Sequence, residues 1–335
     1  VRLMQCAGWI DCEVSSPVRA TVSLDSLARA TDSTTVAMGV DSNMQPATVD
    51  ISQHGLIAAI APSRRGKTQA IRTMLYLLKR ANPSLNIVVV AFKTEDWKAF
   101  ESCATLIVDS DELKQFQAWL LATMYKRAKR PESNRWIVVF DDLANLLTVN
   151  PELQNSILQF SSLGAGTGIT TVVSTQFTGK DSGGVAMTAN ATARLLFKPS
   201  SNSQAARDGG MARLGLDQLS TQKGDALLVV DGDTVRIATS MTDDRLIEQL
   251  HGSVPARDWL HKESQPQHNY GALPTSIGVH PMEEAIEKLN GWLLDDGTFD
   301  WSVGKFNNRS EALRRLGWSN NGSGVEKLKE LEYYI

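Results

Sequence analysis

The sequence predicts an α/β protein with a mostly parallel sheet covered by helices on both faces, followed by a small helical module. Three observations carry that prediction. Short β-branched or apolar runs at 57–60, 87–91, 106–108, 137–140, 169–173 and 195–197 alternate with longer segments at helical spacing, the pattern of βαβ units. Within 112–130, Leu113, Phe116, Leu120 and Leu121 recur at three- and four-residue steps, and 69–80 reads as a second helix. The 335 residues are 42% hydrophobic and 21% charged, enough to bury a full-sized core, which excludes a disordered or fibrous chain.

Residues 1–33 show no sustained period and read as an adaptor or short β-rich lead-in. The principal domain then runs over 34–250, and 226–230 and 235–238, joined through Asp231-Gly232-Asp233, close it as a hairpin. From 251 to 281 the pattern breaks into Pro255, Pro266, Pro274 and Pro281 among Gly, Ser, Gln and His, the chemistry of a linker. Order returns over 282–335, where 282–294, 310–316 and 325–331 read as helices.

Charge and cysteine content narrow the function classes. Thirty-four Lys plus Arg against 37 Asp plus Glu give a net charge of -3, too balanced for a protein that coats nucleic acid through bulk positive charge. Any nucleic-acid contact is therefore local. Cys6, Cys12 and Cys103 form no CxxC pair and suggest neither a disulfide framework nor a zinc site, which fits a reducing, cytoplasmic setting. The apolar runs fall far short of the roughly 18 residues of a membrane span. The chain opens on Val1, and an upstream segment, a membrane anchor included, stays open as an expectation.

The sharpest motif is Ala61-Pro62-Ser63-Arg64-Arg65-Gly66-Lys67-Thr68, directly after a predicted strand and directly before a predicted helix. That is the form of a Walker A phosphate loop. The backbone N–H groups of Ser63, Arg64, Arg65 and Gly66 would converge on phosphate oxygens, and Gly66 lets the chain approach closely. Lys67 would meet the β- and γ-phosphates, and the Thr68 hydroxyl would ligate Mg²⁺. Ala61 stands where the first Gly of such a loop usually sits.

A second element is 135–142, an apolar strand ending in Asp141 and Asp142. Read as a Walker B site, Asp141 would hold Mg²⁺ through water and Asp142 would polarise the attacking water. The competing reading is a buried strand followed by an Asp helix cap. A third is the strand that ends in Ser174-Thr175-Gln176, where Gln176 would reach the γ-phosphate or the lytic water. Three strand ends in this order put a nucleotide, ATP with Mg²⁺, at the carboxyl edge of one sheet.

With these residues in view, the chain resembles the FtsK/SpoIIIE branch of the HerA–FtsK superfamily of DNA-pumping ATPases over roughly 34–250. The likeness extends beyond the phosphate loop. It includes 36–41 as a lead-in to that loop, Ala91-Phe92-Lys93 in place of an Asp-Pro-Lys segment, and Ile107-Val108-Asp109. It continues through Gly168-Ile169 to Thr175-Gln176 and ends on Lys223-Gly224-Asp225-Ala226-Leu227-Leu228. The resemblance implies a RecA-like P-loop ATPase core, assembly as a homo-oligomeric ring, commonly a hexamer, and ATP-driven movement along double-stranded DNA.

Two departures bear on rate. The family usually carries Asp-Glu where this chain has Asp141-Asp142, so the second carboxylate is one methylene shorter. The family also places a trans-acting Arg at the helix end before the Gly-Ile pair, and Leu163-Gly164-Ala165-Gly166-Thr167 has none. Arg194 and Arg207 are the candidate substitutes, with Arg64 and Arg65 behind them; an ordinary salt bridge competes for each. Such an Arg contributes ~10³–10⁵ in rate.

For DNA, the polar loop over 177–184 offers Lys180 to a phosphate, with a solvated loop as the equal alternative. The last module is expected as a winged helix presenting Arg309, Arg314 and Arg315 to the duplex, against a helical bundle for protein contacts. The leading expectation is thus an ATP-dependent double-stranded DNA translocase. A conjugation- or packaging-type coupling ATPase and a nucleotide-gated DNA-binding scaffold with weak hydrolysis are its rivals.

Overall fold

A computed structural model of the chain describes residues 2–6, 9–13, 22–176, 190–199 and 216–260. The chain divides into two units, 1–266 and 267–335, and the second lies outside the described residues. The expected helices at 282–294, 310–316 and 325–331 lie there too.

The lead-in begins with an antiparallel pair, β1 (Arg2–Cys6) and β2 (Trp9–Glu13). There follow α1 (Leu24–Arg29), β3 (Thr35–Val40), β4 (Pro46–Asp50), β5 (Leu56–Ile60), α2 (Lys67–Ala81), β6 (Asn86–Val90) and β7 (Thr105–Ile107). The chain continues through α3 (Ser110–Lys129), β8 (Trp136–Phe140), α4 (Leu143–Val149), α5 (Leu153–Thr167), β9 (Ile169–Thr175), β10 (Ala193–Phe197), β11 (Asp225–Val230), β12 (Asp233–Ala238) and α6 (Asp244–Glu248). The main sheet runs β4-β3-β12-β11-β10-β5-β9-β8-β6-β7. From β10 to β7 every pairing is parallel, and β11, β12, β3 and β4 extend the sheet antiparallel at one edge.

The α/β class and the parallel sheet expected from the alternation are therefore present, and the reason is visible in the strands. Side chains alternate between faces along a strand. Ile57, Ala59, Ile87, Val89, Ile137 and Val139 join one buried cluster with α2 residues such as Met74, Leu75 and Leu78. Their neighbours Ala58, Ile60, Val88, Val90, Val138 and Phe140 join another with Phe116, Leu120, Met124 and Phe160 of α3 and α5. A strand covered on both faces has no polar side, which is why these runs read as continuous apolar stretches.

The helix starts follow from local chemistry. Asp109 caps α3, its carboxylate accepting the N–H groups of Asp111 and Glu112 at 2.9 Å. At α2 the N-cap is Gly66, and the helix starts at Lys67, two residues ahead of the periodic run that predicts it. α5 lies tight on β5: a Cβ on Gly164 would stand 2.8 Å from the Gly55 Cα and 2.6 Å from the Ile169 carbonyl oxygen. That contact admits no side chain at Gly164. No helix among the described residues is long and apolar enough to cross a membrane.

Residues 251–260, where the sequence reads as the start of a linker, are strapped to this core. The Lys79 ammonium at the end of α2 is buried and donates to the carbonyls of Leu85 and Ser253, both at 2.6 Å. Further along, the Thr105 hydroxyl donates to the Pro255 carbonyl at 2.6 Å, and Arg257 donates to the Leu106 carbonyl at 2.7 Å and pairs with Glu112. Trp259 is fully buried, edge-on to Phe116 at 4.8 Å, with its indole N–H donating to Glu112 at 2.9 Å. Proline-rich composition signals a break in regular structure, not a lack of partners. Trp259→Ala should lower stability in chemical denaturation by about 3–5 kcal/mol; a loss under 1 kcal/mol would show that the strap is not part of the folded unit.

Candidate functional site

Between β5 and α2 the chain makes the turn that the motif requires. Arg64 (φ 66°) and Gly66 (φ 100°) both lie in the left-handed region, and a Cβ on Gly66 would sit 3.3 Å from the Gly224 N atom. Glycine is thus needed there for conformation and for space. The loop is tied at both ends: the Ala61 N–H donates to the Thr175 carbonyl at 3.1 Å, and the Gly224 N–H donates to the Arg65 carbonyl at 3.3 Å. The first turn of α2 carries no acidic residue, so its partial positive charge is left for an anion.

Opposite the loop, the chain leaving β8 carries two carboxylates in different settings. Asp141 is buried, accepting the Trp97 indole N–H at 2.9 Å and the Ser174 hydroxyl. Asp142 adopts φ 52°, a conformation that costs a non-glycine residue about 1–3 kcal/mol and occurs where surrounding contacts hold it. Those contacts are present. Its N–H donates to the Ser174 hydroxyl at 2.9 Å, and its carboxylate accepts from the Asn145 amide at 2.6 Å, Lys93 at 3.2 Å and Gln176 at 3.3 Å. Asp142 stands at the N-cap position of α4, yet its side chain caps no backbone N–H. The helix-cap reading of this carboxylate therefore does not hold.

Ser63, Arg64, Gly66, Lys67, Thr68, Asp141, Asp142 and Gln176 all line one cleft of about 570 Å³, a size that suits a small-molecule ligand. Ser63 and Gln176 meet directly, hydroxyl to amide oxygen at 3.0 Å. Lys67 is 8% exposed. Burial pushes its ammonium below the ordinary lysine value; Asp141 and Asp142 oppose that shift, and the Lys93 charge adds to it. A desolvated cation interacts strongly with charges brought close to it, because water screens it little.

The residues present fit Mg²⁺ bound together with a nucleotide. Among the described residues no cluster of three or more His, Cys, Asp or Glu side chains could cage a metal alone, but Mg²⁺ usually takes one or two carboxylates and completes its shell from phosphate and water. The Thr68 hydroxyl and Asp141 carboxylate on the two walls are of that type.

Other expected residues fall elsewhere. Arg65 turns to the Thr221 carbonyl, donating at 2.6 Å, and buttresses the loop. Arg194 lies on β10 in register with Ala58 and Val229, away from this cleft, and its buried Nε has no hydrogen-bond partner. Lys180, Arg207, Arg309, Arg314 and Arg315 lie outside the described residues.

Several site residues carry no signal at motif level. Trp97 orients Asp141 from a segment with no strand or helix period, and Asn145 reaches Asp142 from the first turn of α4. Lys93, Lys223 and Gly224 also line the cleft, and these lie within stretches of family likeness.

No protein-family model matches the chain, and no curated protein matches it. Solved structures do. The pCW3 conjugation coupling protein TcpA, in its monomer form with ATPγS, is 20% identical with a TM-score of 0.55, over 64% of this chain and 68% of that one. The cytoplasmic domain of the Thermomonospora curvata type VII secretion ATPase EccC is 17% identical with a TM-score of 0.56, over 70% of this chain and 35% of that one. EssC (ATPases 2 and 3) from Geobacillus thermodenitrificans is 16% identical with a TM-score of 0.51, over 68% and 46%. The chain thus spans about two thirds of the TcpA chain and about a third of the EccC chain. At such identities the likeness establishes the fold, that of a RecA-like P-loop ATPase.

Lys223 and Gly224 are held against the phosphate loop by a buried ion pair behind them. Asp225 accepts two hydrogen bonds from Arg236 at 2.7 and 2.9 Å and one from the Ser220 N–H at 2.6 Å. Burial raises the Asp225 pKa, but these partners outweigh it and hold the carboxyl below its ordinary value. A depressed carboxylate stabilises the fold above its unfolded pKa, and that stability is lost as the pH falls through the folded value. Asp225→Asn should therefore cost about 3 kcal/mol at neutral pH, and the gap from wild type should begin to narrow as the pH falls below about 4. Urea melts at pH 7 and pH 3 check this; a gap independent of pH would refute the assignment.

Proposed function

We propose that the chain is an ATP-hydrolysing motor that moves double-stranded DNA as a ring of its own copies, a hexamer as the leading arrangement. The observation that carries this reading is that the buried Lys67 of the phosphate loop lines one cleft with Asp141 and Asp142. The RecA-like fold and the likeness to a conjugation coupling protein support it. In this account 34–250 is the motor, 251–281 leads out of it, and 282–335 is a winged-helix module.

Each side chain has a role set by its position. The backbone around Gly66 and the start of α2 cradle phosphate oxygens, and Lys67 neutralises charge on the β- and γ-phosphates. Thr68 and Asp141 would hold Mg²⁺, which supplies further charge neutralisation at the same oxygens. Asp142, with Gln176 beside it, orients the attacking water and accepts its proton. The Lys93 contact must loosen for Asp142 to do so. Arg194 or Arg207 of a neighbouring protomer supplies the trans cation, and Lys180, Arg309, Arg314 and Arg315 meet the DNA backbone.

A coupling-type motor, which differs in its partner proteins, is the second reading, and the TcpA likeness favours it. A nucleotide-gated scaffold with weak hydrolysis is the third, motivated by the short Asp142 carboxylate and its three side-chain partners.

Lys67→Ala should abolish ATP binding measured by calorimetry; retained affinity would place the nucleotide elsewhere. Asp142→Asn should leave ATP affinity within a few-fold and lower turnover by about 10²–10⁴. The deciding experiment measures ATP turnover with and without duplex DNA on the assembled protein. Stimulation supports the motor, whereas turnover indifferent to duplex removes it.

A further inference from the structure

The segment after β12 has an arrangement that the chemistry above leaves unused. Ser240 and Thr242 are buried, while Met241 between them is 77% exposed and lines the same cleft as Lys67. The backbone here is pinned to α2: Gln69 donates to the Thr242 carbonyl at 2.8 Å, and the Thr73 hydroxyl donates to the Ser240 carbonyl at 3.2 Å. Both flanking hydroxyls point inward, Ser240 to the Val22 carbonyl at 3.1 Å and Thr242 to the Thr73 hydroxyl at 2.9 Å. Successive side chains of an extended segment alternate in direction. The two inward anchors therefore force the residue between them outward, and the residue there is a large apolar one on a rigid base.

The place of Met241 across the sheet defines what it would touch. β12 ends at the same edge of the sheet as β5, because β12 is antiparallel to β11 and β11 to β10, which runs parallel to β5. β12 lies on one side of β5, and β8, whose end carries Asp141 and Asp142, lies on the other. With strands spaced about 4.8 Å apart, the cleft extends roughly 10 Å or more to either side of the phosphate loop. The carboxylate side takes the terminal phosphate, so the Met241 side receives the other end of the ligand.

We propose that Met241 is the platform on which the aromatic base of a bound nucleoside triphosphate stacks. The inference rests on the nucleotide reading above. The methionine thioether is polarisable and packs well against an aromatic face. Gln69 and Thr73, which pin the platform, lie two and six residues beyond Lys67 on α2, so base and phosphate register on one helix. Base binding thereby orders the same element that grips the phosphates.

The test compares ATP with inorganic tripolyphosphate by calorimetry on the full chain, as wild type, Met241→Ala and Met241→Leu, with thermal melts to confirm folding. The expected result is ATP affinity about 5- to 10-fold weaker in Met241→Ala and nearly restored in Met241→Leu, with tripolyphosphate affinity unchanged in both. An equal loss for both ligands, or no loss for ATP, would overturn the proposal while leaving the phosphate site intact. Unchanged ATP affinity with altered self-association would assign Met241 to a contact between copies, and also overturns it. If wild type binds neither ligand, the nucleotide reading itself fails.

Discussion

The interaction on which this molecule depends is the electrostatic one between Lys67 and the Asp141–Asp142 pair. A cation taken out of water is costly unless something repays its lost hydration. Here the loop that carries Lys67 and the strand end that supplies the carboxylates belong to different βαβ units, and the parallel part of the sheet brings them together. The cost of burying the charge is offset within the protein only in part, as its lowered pKa shows. In the proposed function, a triphosphate bound with Mg²⁺ would supply a further partner for this charge.

Much of the surrounding structure keeps that arrangement in place. Ser174 serves both aspartates at once, donating to the Asp141 carboxylate and accepting from the Asp142 backbone N–H, and the Trp97 indole N–H also donates to Asp141. On the opposite wall, Gly224 packs on Gly66 with the Asp225–Arg236 pair behind it. α2 joins these walls to the rest of the chain: its first turn holds Lys67, and its last turn holds the strap through Lys79. A shift of α2 on nucleotide binding would therefore be felt at Ser253 and, through the same segment, at Trp259 on α3. That is a physical route from the cleft toward whatever follows residue 260.

The strands and the phosphate loop were legible in the sequence because their chemistry is local. An apolar run covered on both faces, a glycine at a left-handed turn and a lysine opening a helix each announce themselves within a few residues. The Asp141–Asp142 end of β8 was legible for the same reason, although only the structure separates a helix cap from a carboxylate held by side chains in the cleft. Trp97 and the anchors beside Met241 were not legible, since they rest on contacts 44 residues away for Trp97 with Asp141 and 169 for Thr242 with Thr73; Asn145 is only three residues from Asp142, but an asparagine in a first helical turn carries no motif of its own. The strap over 251–260 was hidden for another reason: irregular backbone can be held firmly by side chains and carbonyls that leave no periodic trace. The absence of an arginine near the end of α5 has a partial physical cause, because Gly164 is where that helix touches Gly55.

The central claim is that Lys67 and Asp141 form two walls of one metal–nucleotide site. It is tested most directly by the Mg²⁺ dependence of ATP affinity in wild type and in Asp141→Asn. The account predicts that Mg²⁺ tightens ATP binding to wild type by about tenfold or more and has little effect on the variant. Equal tightening in the two proteins would contradict it.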